Sequence, residues 1–148
     1  MPACTNASNT LKEVFERHSS KMYIEFRHYP LPTLHPYAIL CAVYSECAAQ
    51  QGKFWPYHDR LFDEREELSR SMRVQGRLID IAQELGLEMA QFRKCVQDPA
   101  VELTVLDEKS KGSDLGVKAT PSYFINGQIY VGSNSLKKEL DRILGEEK

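Results

Sequence analysis

Apolar positions along this chain recur in two periods, and the period changes several times. Thr10-Leu11-Lys12-Glu13 reads as a capping box, and Leu11, Val14, Phe15 and His18 then fall on one face of a predicted helix. From Lys21 to Arg27 the spacing drops to two. Met22, Ile24 and Phe26 alternate with Tyr23 and Glu25, which predicts a strand over Met22 to His28. Pro30, Pro32 and Pro36 stiffen the connection that follows and exclude a helix there. Helical spacing returns between Pro36 and Gly52, where Leu40, Val43, Tyr44, Cys47 and Ala48 stand at i, i+3, i+4, i+7 and i+8. A shorter amphipathic piece, Phe54 to Phe62, carries the single tryptophan. The charge-rich run Asp63 to Arg73 reads as a solvated helix end and loop. Leu78, Ile81, Ala82 and Leu85 form another helical stripe, closed by Gly86. Glu88 to Val96 predicts a short helix, and Asp98-Pro99 starts the next with Asp as N-cap and Pro in the first turn.

The last third returns to strands. Ser122 to Asn126 is a short apolar strand introduced by Thr120-Pro121, and proline suits the first residue of a strand because it has no N–H to give. Asn126-Gly127 signals a tight hairpin, with Gln128 to Gly132 as the return strand. Ser135-Leu136 opens a final helix with Leu136, Leu140, Ile143 and Leu144 on one face. The predicted order is helix, strand, helical block, hairpin, helix, with more helix than strand.

Composition narrows the classes. At 148 residues the chain suits one domain, 1–148, with a sizeable core, and its hydrophobic and charged fractions of 42% and 27% are ordinary for a globular protein. A net charge of −2 gives no general attraction to nucleic acid. No apolar run approaches the ~20 residues of a membrane span, and the polar start Met1 to Thr10 is not a signal peptide. Four cysteines stand at 4, 41, 47 and 95 without C-x-x-C spacing, and the four histidines lack i,i+4 pairing. Neither pattern suggests a metal site. Cys41 and Cys47 share a predicted helix, roughly 9 Å apart along its axis, beyond the reach of a disulfide. The aromatic residues Tyr29, Phe54, Trp55, Tyr57 and Phe62 fit core packing better than a peptide groove. His58 and Asp59 are adjacent on a helix, so they read as surface or packing residues rather than a catalytic pair.

Two blocks carry a family resemblance. Gly116 to Gly127 resembles the C-terminal half of thioredoxin-fold proteins, in which a cis-proline loop faces the redox motif. Phe26-Arg27-His28-Tyr29-Pro30-Leu31, His35-Pro36-Tyr37-Ala38, the run Glu46 to Phe62 and Gln91-Phe92-Arg93-Lys94-Cys95 resemble the DsbA-like branch of that superfamily. The resemblance extends in order from residue 1 to about 145. It implies an α/β, thioredoxin-like fold with a helical insertion at about 36–115. It also implies thiol–disulfide oxidoreductase activity on protein or peptide thiols, with no metal and no organic cofactor.

Carried onto this sequence, the resemblance makes Met1-Pro2-Ala3-Cys4 the counterpart of a C-P-A-C motif. Cys4 matches the second, resolving cysteine, while Met1 stands where the nucleophile belongs. A thioether forms no disulfide, so no dithiol cycle is expected at that position. The plain alternative for Cys4 is a terminal thiol without function. Thr120 and Pro121 match the substrate-facing loop with a cis bond, and Cys47 and Cys95 match a structural disulfide inside the helical insertion. The family's central strand, which precedes the motif, is missing from the sequence as written. Either the sequence begins inside a longer, extracytoplasmic protein, or it is a degenerate member that uses the fold for binding; a chain complete as written would be cytoplasmic. An unfilled slot in the sheet would favour a homodimer. Two rival functions remain: a non-catalytic peptide-binding or chaperone-like module, separated by an insulin-reduction assay, and a glutathione-dependent isomerase or transferase, separated by glutathione affinity.

Overall fold

The structure, a computed structural model, describes residues 2–145, with no account of the Pro2 side chain. Eight α-helices and one two-stranded sheet make up the described residues. The backbone divides into two compact units, one over Met1–Phe26 and Gly112–Lys148 and the other over Arg27–Lys111. The insertion expected at about 36–115 falls largely in the second.

In the first unit, helix α1 spans Pro2–His18. Thr10 therefore lies mid-helix rather than at an N-cap. The helix starts earlier because Pro2 opens it and the small, polar stretch behind it offers no breaker. Its buried stripe is Ala7, Leu11 and Val14; Phe15, expected on that face, is 37% exposed. A 3-10 turn, Ser19–Lys21, follows.

Met22 to His28 is not a strand. The segment keeps the alternation, with Met22 and Ile24 half-buried and Tyr23 and Glu25 exposed. A strand also requires a ladder partner, and the described residues place none beside it. The hairpin does form: β1, Ser122–Ile125, pairs antiparallel with β2, Gln128–Val131, in the register Ser122 to Val131 and Ile125 to Gln128. Asn126 at φ 51° and Gly127 at φ 88° form the two-residue turn, which demands positive φ at both central positions. Helix α8, Ser133–Leu144, begins two residues before the expected start and buries Leu136 and Leu140. These two leucines, Ala7 and Val14 form the core of the unit, with Met22, Tyr123 and Ile125 packed on it.

The second unit is helical throughout. Helices α2 (Ala38–Ala49), α3 (Phe54–Asp63), α4 (Arg65–Arg70), α5 (Val74–Glu84), α6 (Met89–Val96) and most of α7 (Pro99–Asp114) belong to it. The caps follow the sequence. The Glu88 carboxylate accepts from the N–H groups of Ala90 and Gln91, and Asp98 accepts from that of Ala100. The run Asp63 to Arg73 is not merely solvated, because it contains α4 and buries Leu68. Around it Glu64 receives both Arg60 and Arg77, and these guanidinium groups hold its carboxyl below the usual range.

Tyr57, fully buried, anchors α3 on α5 by donating its hydroxyl to the Leu78 carbonyl at 2.8 Å. The Phe92 ring lies tilted against it and edge-on to Tyr44. Tyr57→Phe removes one buried hydrogen bond and no volume. The expected cost is about 1 kcal/mol, read as a melting temperature lower by roughly 2–4 °C. An unchanged melting temperature would mean that the bond contributes nothing.

Candidate functional site

Cys4 stands in the first turn of α1 and is half-buried. At a helix N-terminus the unpaired N–H groups and the macrodipole present a field that favours negative charge. No acidic residue in that turn opposes this field. Met1, the counterpart of the nucleophile, lies outside the described residues.

The loop Gly116 to Pro121 leaves α7 through Gly116 at φ 97°, with the Val117 N–H bonded to the Gly112 carbonyl at 2.9 Å. The Thr120–Pro121 peptide bond is cis. Two bonds hold this loop on the hairpin: Ser122 Oγ donates to the Ala119 carbonyl, and the Gly132 N–H donates to the Pro121 carbonyl at 2.9 Å. Thr120 and Pro121 are half-buried. Tyr123, two residues on, points into the core of the first unit. Burial pushes its phenol up to about 12, and the charge of an ionised Cys4 pushes in the same direction. The fold therefore brings the Cys4 thiol and the strand behind Pro121 into one electrostatic neighbourhood. Nothing in the sequence marks Tyr123 as electrostatically linked to Cys4, beyond its place in the inward-facing alternation of β1.

Cys47 and Cys95, on α2 and α6, are joined by a disulfide with S–S 2.07 Å and Cα–Cα 5.7 Å. Cys47 is 1% and Cys95 8% exposed, deep in the core of the helical unit. Cys41 is free, and burial pushes its thiol up to about 11, away from reactivity near neutral pH.

Histidines form a separate cluster that the sequence pattern did not reveal. His28, 4% exposed, places Nε2 2.7 Å from Glu46 Oε1, and its backbone N–H donates to Glu108 Oε1 at 2.8 Å. The histidine hydrogen bond lowers the Glu46 carboxyl. His58, 8% exposed, sits among Phe54, Trp55 and Phe62 with ring centroids 4.7–5.7 Å away. Its Nδ1 is 3.1 Å from Asp59 Oδ1, so these neighbours do meet, against the expectation from helical spacing; the short Asp side chain bends back along the helix surface. Desolvation lowers the His58 imidazole, with Asp59 opposing.

A histidine depressed in the folded state binds its proton more readily when unfolded. Stability therefore falls as pH drops through the unfolded value near 6.5 toward the lower folded value. The depressed carboxyls of Glu46 and Glu64 add losses in the same direction at lower pH. Urea unfolding should show a constant midpoint between about pH 7 and 8 and a first decline beginning near pH 6.5. His58→Phe should abolish that first decline and leave the carboxylate-range decline. A first decline that survives in the variant would assign it to another group.

Residues 2–146 match the model of the thioredoxin family. This chain belongs to the thioredoxin family. Among solved structures, a thioredoxin-like oxidoreductase from Silicibacter pomeroyi superposes with a TM-score of 0.74 at 21% identity, covering 99% of this chain and 82% of that one. Alpha-DsbA1 of Wolbachia pipientis superposes with the same TM-score at 20% identity, covering 97% and 82%. The thioredoxin-like fold with a helical insertion, expected from the DsbA-like resemblance, is thus shown. Curated relatives include the Na(+)/H(+) antiporter NhaA 3 of Salinispora tropica, 30% identical over 136 residues, and the antiporter NhaA of Herminiimonas arsenicoxydans, 32% identical over 130 residues. These matches cover 92% and 88% of this chain, and the chain spans about a fifth of the length of the relatives, 20% in both cases. Among the described residues of this thioredoxin-family chain, no helix is long and apolar enough to cross a membrane.

Proposed function

We propose that this chain is a DsbA-like thiol–disulfide exchange module acting on protein or peptide thiols. Cys4 is its resolving thiol, Thr120 and Pro121 form its substrate loop, and the Cys47–Cys95 disulfide is structural. The observation that carries the reading is Cys4 in the first turn of a helix, electrostatically coupled to Tyr123 of the strand that follows Pro121. In such a site the Cys4 thiolate attacks a disulfide R–S–S–R′, forms Cys4–S–S–R and releases R′–S⁻. With Met1 in the partner position the cycle stops there, and the module is inactive as a dithiol oxidase. The module would work in an extracytoplasmic compartment, where disulfides such as Cys47–Cys95 persist.

Oxidised glutathione provides the test. Mass spectrometry after brief exposure near neutral pH should find the glutathione adduct on Cys4 and none on Cys41, and Cys4→Ser should abolish it. Adduct on Cys41 in preference to Cys4 would sink the reading.

A second reading has its own support. Phe124, Ile129 and Val131 leave the hairpin 47%, 41% and 51% exposed, which suits a peptide-binding or chaperone-like module. The glutathione adduct on Cys4 separates the two: a pure binding module has no need of it. In either case β1 has β2 on one side and no strand on the other among the described residues, and an open edge invites a second copy. Light scattering across a dilution series should then show a concentration-dependent dimer; a strict monomer ends that part of the proposal.

A further inference from the structure

The helical unit carries a groove unrelated to any cysteine. It lies between α2, α5 and α6, has a volume of about 320 Å³ and is half-open to solvent. That volume is at the low end for small-molecule sites and equals about ten waters at ~30 Å³ each. Leu40, Ile79 and Val96 supply apolar lining. Gln75, Arg93 and Gln97 supply the polar rim, and Tyr44 completes the lining.

The polar groups share a property. Among the described residues, Arg93 pairs with no carboxylate and neither glutamine side chain is hydrogen-bonded. The Tyr44 ring is packed edge-on against Phe92 and the residue is 5% exposed, yet its hydroxyl bonds to no described residue and keeps contact with solvent. Arg93, on α6, and Tyr44, on α2, line the same groove, so a ligand resting in it can meet both the guanidinium and the hydroxyl. One fork of N–H donors and one O–H donor match a planar anion with a single charge. A phosphate dianion would find only one cation. The apolar lining, in turn, requires an apolar body on the ligand.

We propose that the groove between α2, α5 and α6 binds a small carboxylate, its charged end held by Arg93 and the Tyr44 hydroxyl and its apolar body resting on Leu40, Ile79 and Val96. The ligand is a free apolar acid or the C-terminal residue of a peptide, which share this chemistry. The site is independent of the thiol reading, and its test leaves Cys4 untouched.

The probe is N-acetyl-L-leucine, followed by isotope-edited NMR of the full chain. Saturable shifts at the Gln75 and Gln97 side-chain amides and the Arg93 Nε–H are expected, with a dissociation constant on the order of 1 mM. The neutral N-acetyl-L-leucinamide should bind at least ~10-fold more weakly, as should N-acetyl-L-leucine to Arg93→Ala. Gly76→Leu should abolish binding by filling the groove. A Cβ at Gly76 meets only the end of the Arg73 side chain, at 3.7 Å, and leucine favours the helix, so this variant is expected to stay folded. A peptide ending in a free leucine carboxylate that binds more tightly than N-acetyl-L-leucine identifies a chain terminus as the ligand. Equal or weaker binding identifies a free acid. Shifts that do not saturate, an amide that binds as well as the acid, or undiminished binding to a folded Gly76→Leu would each overturn the proposal.

Discussion

A chain carrying cysteine at position 1 behind an apolar strand is expected to reduce insulin on the order of 100-fold faster than the chain as written, which should barely exceed free glutathione. The difference lies in resolution of the mixed disulfide. A second thiol three residues away in sequence attacks at a very high effective concentration. A lone Cys4 must wait for an external thiol. The strand belongs in the experiment because β1 has an unpaired side among the described residues, and a dithiol on an unfilled sheet would be poorly held. Cys4→Ser should remove the gained activity. Strong turnover by the unmodified chain would show that the chemistry is located elsewhere.

Removing the Cys47–Cys95 bridge should have the largest effect on stability. It closes a loop of sequence separation 48, for which loop-closure entropy gives about 4 kcal/mol. The paired replacement Cys47→Ala with Cys95→Ala should lower the melting temperature by roughly 10 °C. Addition of a strong reductant to the natural sequence should come close to the same value. Cys41→Ala, which breaks no bond, should cost far less. If reductant left the melting temperature unchanged, the bridge would contribute nothing to the folded state.

These two expectations draw on different kinds of information. The helices α2, α5, α6 and α7 were legible because their periodicity and caps are local. Asp98 before Pro99 and Glu88 before Met89 accept from their own helix N–H groups, so little from outside the helix is needed. The hairpin was equally local: Asn126 and Gly127 adopt the positive φ that a two-residue turn demands, and the register follows from the turn. The start of α1 is not legible in the sequence, because the Thr10 to Glu13 capping box competes with a preceding stretch that continues the helix without a break. The burial of Leu68 is not legible in the sequence because Glu64 of that run pairs with Arg60 on α3 and Arg77 on α5, and such pairing is invisible in a linear charge run.

What the sequence determined by itself was the succession of elements, the turn and the likeness to the thioredoxin family, all consequences of short-range preference and ordered motifs. Tertiary structure decided the remainder. It denied Met22 to His28 a ladder, because a strand depends on the hydrogen bonds of a neighbour and not on its own alternation. It brought Cys47 to 5.7 Å Cα–Cα from Cys95, a distance that only the packing of α2 on α6 can set. It enclosed His58 in aromatic rings and brought Cys4 within electrostatic reach of Tyr123, more than a hundred residues away along the chain, because burial and electrostatic environment belong to the packed molecule and have no counterpart in linear order.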